Sequence, residues 1–204
     1  MPRRKFNEPE RIRDVLVKEG EALFTRYGLK KTTLEEITAA SGIGKGSFYK
    51  FFRSKEELYF EVLERQEERL QEQLISRVLP LMKNPEEFIR ELIKEGFKII
   101  EEYPLIQYIL DSGTYRNLAN KLPEEKLQAH QKHDEERLLP LISRLQEQGG
   151  VVRVDPGLIA ALLRGIFMLA LHRREIGEKE FNRVIDLLAE TMGRGLARQN
   201  GEKA

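Results

Sequence analysis

Between Lys45 and Lys50 the chain reads Lys-Gly-Ser-Phe-Tyr-Lys, two ammonium groups and a phenol, with two small residues at the start and one phenylalanine. On a helix this composition suits a surface that meets duplex DNA. Ammonium groups neutralise phosphates, a tyrosine hydroxyl donates to them, and small residues at a helix start let the backbone approach base edges. A second candidate is His130-Gln-Lys-His133-Asp134, whose spacing places three ligand-type side chains on one helix face. Everything from Gln128 to Arg137 around it is polar, and a solvated helix face is the simpler reading. The chain has no cysteine and only three histidines. Disulfides, thiolate-bound zinc and a cysteine nucleophile are thereby excluded, and no catalytic, metal or cofactor site is read.

The elements that would position Lys45–Lys50 are helical. Ile12, Val15, Leu16, Leu23 and Tyr27 form a stripe over 10–27, and Gly28 follows as a C-cap. Thr33-Leu-Glu-Glu36 is an N-cap with a carboxylate three residues on, and a short second helix ends at Ser41-Gly42. A third helix is predicted over about 45–52. Gly42 permits the positive φ that a tight turn between crossed helices demands, and Ile37, Ile43 and Phe48 would lock the crossing. Ser54-Lys-Glu-Glu57 repeats the capping pattern and opens a long helix ended by Pro80. Asn84-Pro85 starts another, running to Tyr103. A short helix from Pro104 is broken at Ser112-Gly113. A long one from Pro123 to about Gln148 carries Pro140, where a kink is expected, and the last two run over about 156–173 and 179–198. The fold class is all-α, about nine helices: a three-helix, helix-turn-helix head followed by a helical bundle that dimerises. The division predicted is 1–52 for the DNA-binding head and 53–204 for a ligand-binding and dimerisation domain.

The run from Thr33 to Leu58, with Gly46-Ser-Phe-Tyr49 followed by Phe52-Arg-Ser-Lys55-Glu-Glu-Leu58, resembles the signature of TetR-family transcriptional regulators, and Phe24, Tyr27 and Gly28 before it match as well. The resemblance implies a DNA-binding regulator, of repressor type, and no enzyme. It implies a phosphate bond from the hydroxyl and N–H of Thr33, base-edge positions for Lys45, Gly46 and Ser47, backbone contacts from Tyr49 and Lys50, and a further phosphate clamp at Lys55. Three positions depart from the family pattern. Phe51 stands where a phosphate-contacting His is common, Thr38 replaces an Ala at the helix crossing, and Gly44 replaces a Ser at the N-cap. The loss of a Ser N-cap to Gly costs only about a few tenths of a kcal/mol.

Charge is divided along the chain as this reading requires. Residues 1–55 hold 13 Lys+Arg and 7 Asp+Glu, net +6, whereas the remainder holds 22 and 27, net −5. The whole chain carries only +1, so a uniformly basic coat is absent. From Leu158 to Leu171, 12 of 14 residues are apolar. A helix apolar on all sides must be covered on both, and a second copy of the chain is the natural cover. The last helix adds a stripe of its own, and the interface is predicted at Leu162, Ile166, Leu169, Phe181, Ile185, Leu188 and Met192. Such a homodimer matches a palindromic operator with half-sites about one turn apart.

The resemblance further implies an effector pocket in the middle helices, for which the sequence offers Phe88, Phe97, Tyr103, Tyr108, Tyr115, Arg164 and Met168. Arg164, the lone charge in the apolar helix, would bind an anionic effector or pair with a carboxylate at the dimer contact. A small apolar effector would release the operator. The alternative is a bundle that docks a protein partner. Mean hydropathy is −0.50. The basic N-terminus, with Arg3, Arg4 and Lys5, leads into a charged segment and is expected to be a solubilising tail. The 14-residue apolar stretch is short of a bilayer span, and a cytoplasmic location with no membrane partner is expected.

Overall fold

The computed structural model describes residues 8–111 and 118–197, and Tyr115, the N-terminal arginines and the Ser112-Gly113 break lie outside them. Ten α-helices are present there: α1 (Glu8–Lys31), α2 (Leu34–Ala40), α3 (Lys45–Phe48), α4 (Lys55–Val78), α5 (Pro85–Ile100), α6 (Pro104–Asp111), α7 (Glu124–Glu147), α8 (Pro156–Met168), α9 (Arg173–Ile176) and α10 (Glu178–Leu196). Short 3-10 turns follow α4 and α8. A single antiparallel bridge, Val151 to Ala197, is the sole extended pairing among the described residues. The all-α expectation holds.

The three capping patterns at Thr33, Ser54 and Asn84 are present as bonds. Thr33 Oγ1 accepts the Glu36 N–H at 3.2 Å, Ser54 Oγ accepts that of Glu57 at 3.1 Å, and Asn84 Oδ1 accepts that of Glu87 at 3.3 Å. These bonds satisfy donors that the first turn of a helix leaves orphaned. Helix α7 continues through Pro140. The third helix is shorter than expected. After Phe48 the chain closes with bonds from Lys50 N to Ser47 O and from Phe51 N to Phe48 O, a tightened turn that swings Phe52 inward.

In the head, α1 packs on α2 and α4, and α2 on α3. Leu16, Phe24, Ile37, Phe48, Phe52, Leu58 and Tyr59 are all buried there. Phe24 meets Tyr59 edge to face at 4.9 Å. The core of the head therefore draws on the first turns of α4. In the body, α5 is the central element, flanked by α4, α8 and α10. Phe97 joins the layers, 5.3 Å from the ring of Phe167 in α8 and 5.6 Å from that of Phe181 in α10.

The run Pro156–Ile176 is 21 residues with a hydropathy of 1.3, long and apolar enough by length and composition to cross a membrane. The apolar part of it remains the 14 residues Leu158 to Leu171, and His172, Arg173, Arg174 and Glu175 follow. Its inner face, Ile159, Ala160, Leu163 and Ile166, is buried within the fold, while Leu158, Leu162 and Met168 face outward.

Helix α10 comes unusually near α5. A Cβ at Gly193 would stand 2.8 Å from the backbone oxygen of Glu86, whereas one at Gly195 would meet open space. Gly193→Ala should therefore destabilise the chain by about 1–3 kcal/mol, as overpacking does, with Gly195→Ala neutral or slightly stabilising. Urea unfolding of the two variants checks this.

Candidate nucleic-acid interface

Helix α1 breaks near its end at Gly28, and the turn toward α2 is built from Gly28 and Thr32. Gly28 has φ +74°, and Thr32, wholly buried, donates its hydroxyl to the Gly28 carbonyl at 2.8 Å. The ammonium of Lys55 closes this turn from the far side, donating to the carbonyls of Leu29 at 2.9 Å and Thr32 at 2.7 Å. The family resemblance makes Lys55 a phosphate clamp. Its position gives it a structural duty first, because two of its three N–H groups hold carbonyls of the turn that leads from α1 to α2.

The α2–α3 turn runs through Gly42 at φ +67°, where L side chains are strained, and Ile43 N donates back to Thr38 O at 3.1 Å. Thr38 at the crossing is buried and spends its hydroxyl on the carbonyls of Leu34 and Glu35 within its own helix. Gly44 makes no side-chain cap, as expected. Phe48 is fully buried and Phe52 nearly so, with the Arg13 guanidinium 4.8 Å above the Phe52 ring. These anchors turn the remaining side of α3 outward. Lys45, Gly46, Tyr49 and Lys50 are exposed and Ser47 half-buried, with Tyr49 at 54 % exposure and its ring set edge-on to Phe48. A Cβ at Gly46 would touch nothing in the chain.

Two carboxylates share this face, in a role that the sequence pattern does not reveal. Glu35 Oε1 lies 2.7 Å from Lys45 Nζ. Hydrogen bonding to Lys45 holds the Glu35 carboxyl below the usual value, and the same bond raises the Lys45 ammonium. Glu36 Oε2 accepts both the N–H and the hydroxyl of Thr33 at 2.8 Å, which lowers the Glu36 carboxyl as well. The donors expected to meet phosphate at Thr33 thus already hold an anionic oxygen. The capping pattern is legible in the sequence, but its consequence for Thr33 is not.

The expected effector residues do not converge. Phe88 lines an apolar cavity of about 20 Å³ between α5, α7, α8 and the end of α10, with Leu92, Ile142, Leu145 and Leu163. Phe97 bridges the helical layers, Tyr103 is buried just ahead of α6, and Met168 is 47 % exposed on the outer face of α8. Tyr108 sits over the α1–α2 turn, its hydroxyl 3.7 Å from where a Gly28 Cβ would be, and Arg164 is half-buried. Three expected interface residues point into their own chain: Ile166, Phe181 and Ile185 are 6 %, 2 % and 4 % exposed. The amphipathic stripe of α10 is spent on α5. Leu162 is exposed, and Leu169, Leu188 and Met192 are half-buried.

His130 is not on a solvated face. It packs edge-on against Phe60 at 5.4 Å, with Nδ1 3.6 Å from Glu64 and Nε2 3.2 Å from Glu67 on α4, beside an open acidic groove of about 420 Å³. The side chains of His133 and Asp134 lie outside the description, and no group of three or more His, Cys, Asp or Glu side chains able to hold a metal ion occurs among the described residues.

Residues 16–62 match the family model described as bacterial regulatory proteins, tetR family. Residues 16–62 are thus those of a TetR-family transcriptional regulator. It is 26 % identical over 173 residues to the probable acrEF/envCD operon repressor of Escherichia coli K12, covering 82 % of this chain and 77 % of that protein. Among solved structures, a TetR-family transcriptional regulator from Pectobacterium atrosepticum is 23 % identical with a TM-score of 0.67 over 90 % of each chain. SmeT, the repressor of the Stenotrophomonas maltophilia multidrug efflux pump SmeDEF, is 21 % identical with a TM-score of 0.60, over 92 % of this chain and 91 % of its own. The matched span covers α2 and α3 and the flanking parts of α1 and α4, and so includes every residue named for the interface.

The bonding at these turns leads to two expected outcomes. Lys55→Ala should lower the unfolding free energy by about 1.5–3 kcal/mol, since it strips a charged donor from two carbonyls, and amides of residues 29–33 should exchange faster. Glu56 and Glu57, at the start of α4, titrate below 4.5. Burial pushes them up, but bonds from Lys121 to Glu56, and from Lys126 and the Arg53 N–H to Glu57, more than reverse it. A carboxyl lowered by folding adds stability that is complete above its unfolded value and is lost as pH falls through the folded one. Stability should therefore drop on acidification below about pH 4.5, less steeply in Glu57→Gln, as urea midpoints across that range would reveal.

Proposed function

We propose that the chain is a homodimeric, cytoplasmic repressor that reads a palindromic operator with its head, 1–52, and senses a small apolar effector in its body, 53–204. The observation that carries the DNA reading is the orientation of α3, with Phe48 buried and Lys45, Gly46, Tyr49 and Lys50 turned to solvent. In this reading Lys45, Gly46 and Ser47 approach base edges. Tyr49, Lys50 and the free donor of Lys55 hold phosphates, and Thr33 exchanges the Glu36 carboxylate for a phosphate oxygen. Gly46 fits the role, since the fold itself has room for a side chain there and only a closely approaching partner would not.

Dimerisation is supported by the outer surfaces of α8 and α10. Leu158, Leu162, Met168 and Leu187 are among the most exposed large apolar side chains of the described residues, at 42 % to 67 %. Surfaces of that kind mark association sites. Gly165, Gly195 and the half-buried Leu169, Leu188 and Met192 would let two such faces approach closely.

The wholly apolar lining of the cavity at Phe88 supports an uncharged effector. Its volume of about 20 Å³ is that of a water molecule, so occupancy requires the helices around it to part. Release of DNA is then a population shift toward a wider arrangement of the heads. That small volume is also what favours the alternative of a protein partner. A panel of lipophiles that never raises the unfolding temperature would support the alternative.

Selection from a random duplex pool tests the main reading. It should enrich an inverted repeat, bound as a dimer. Tyr49→Ala should weaken binding to it at least about tenfold, and Lys50→Ala, which removes one phosphate contact from each protomer, should flatten the salt dependence by about 1.8. Leu162→Glu with Leu187→Glu should give a monomer in sedimentation at micromolar concentration. Failure to enrich any duplex, or an unchanged dimer in that double variant, would contradict it.

A further inference from the structure

Helix α7 reaches from the apolar middle of the body to the loop behind α3. Its far half supplies Ile142 and Leu145 to the cavity wall. Its near end meets the first turn of α4. There the Glu57 carboxylate is shared: Oε2 accepts the backbone N–H of Arg53 at 2.5 Å, and Oε1 lies 2.5 Å from Lys126 Nζ on α7. One residue earlier, Glu56 Oε1 lies 2.8 Å from the ammonium of Lys121, just ahead of α7. Both carboxylates are largely covered, their side chains 15 % and 12 % exposed. The ammonium of Lys121 is open to solvent and that of Lys126 half-covered, so the Lys126–Glu57 bond, between the better-covered partners, is the firmer of the two.

Arg53 stands five residues after the end of α3, on the only covalent path from the recognition turn to α4. Its N–H is tied through one carboxyl group to a helix of the body, so rotation of α7 relative to α4 is passed to the backbone that carries Tyr49 and Lys50. We infer that Glu57 and Lys126 are positioning residues for operator binding, with Glu56 and Lys121 as a second strut. They touch no DNA themselves and set the angle at which α3 is presented. The inference rests on the DNA-binding reading above and adds a route by which the body governs the head.

A paired operator demands two recognition helices at one spacing, whereas contacts to an arbitrary phosphate backbone tolerate a swivelling head. Loss of the struts should therefore separate the two kinds of binding. Lys121→Met with Lys126→Met keeps the aliphatic stems and removes the charges. Fluorescence anisotropy would compare a duplex selected by the wild-type chain with a scrambled duplex of equal length. The double variant should bind the selected duplex about five- to tenfold more weakly, within the usual range of site-to-site coupling, and the scrambled one within about twofold of wild type.

Hydrogen exchange of the free protein gives a second readout that does not depend on DNA. The Arg53 amide should exchange faster in the double variant and in Lys126→Met alone, which serves if the double variant fails to fold. The charge-exchanged pair Glu56→Lys with Lys121→Glu should keep wild-type affinity where Lys121→Glu alone does not. Equal weakening on both duplexes would mean that the lysines contact phosphate directly, and would overturn the inference. An unaltered Arg53 amide would overturn it as well. A wild-type chain that selects no duplex refutes the DNA reading, while the Arg53 amide still decides whether the struts hold the loop.

Discussion

A helix of four residues has no cooperative stability of its own, because nucleation costs more than its few internal bonds return. Helix α3 exists only because its neighbours hold it. Phe48 and Phe52 are sunk into a core made by α1, α2 and the first turns of α4, and the chain between α2 and α3 turns on Gly42. That anchorage decides which way Lys45, Tyr49 and Lys50 face. It also explains why the head cannot be separated cleanly from the body, since Leu58 and Tyr59 of α4 belong to the same buried cluster.

The polar groups of the head obey a complementary rule. Lys55 donates two hydrogen bonds to main-chain carbonyls, Lys45 faces Glu35, and both donors of Thr33 face Glu36. These three groups are thus already partnered within the chain, and at Lys45 and Thr33 a phosphate must compete with anions the chain supplies. Such competition at an exposed surface is weak for each pair. It nevertheless makes contact with DNA an exchange of partners, favoured where several phosphates arrive together.

Much of this is legible in the order of residues. The capping patterns at Thr33, Ser54 and Asn84 announce helix starts because the chemistry is local, spanning three residues. The positive φ of Gly42 and Gly28 is legible for the same reason. What stays hidden depends on partners distant in the chain. Lys55 reads as a free cation until carbonyls 23 and 26 residues upstream close on it. His130 stands among polar neighbours in sequence, yet α4 supplies it with an aromatic ring and two carboxylates. The stripe of α10 is amphipathic as its sequence suggests, but periodicity does not say whether Phe181 and Ile185 meet a twin or their own α5. The aromatic run after α3 likewise leaves open where α-helix gives way to a tighter turn.

The most direct test of the account is to follow backbone amide resonances of the full chain as a selected duplex is added. Perturbations should concentrate at Thr33 and from Gly44 to Lys50, extend weakly to Arg53 and Lys55, and leave the outer faces of α8 and α10 unchanged apart from general broadening. Perturbations centred on α8 and α10, with Lys45, Gly46 and Tyr49 unmoved, would contradict it.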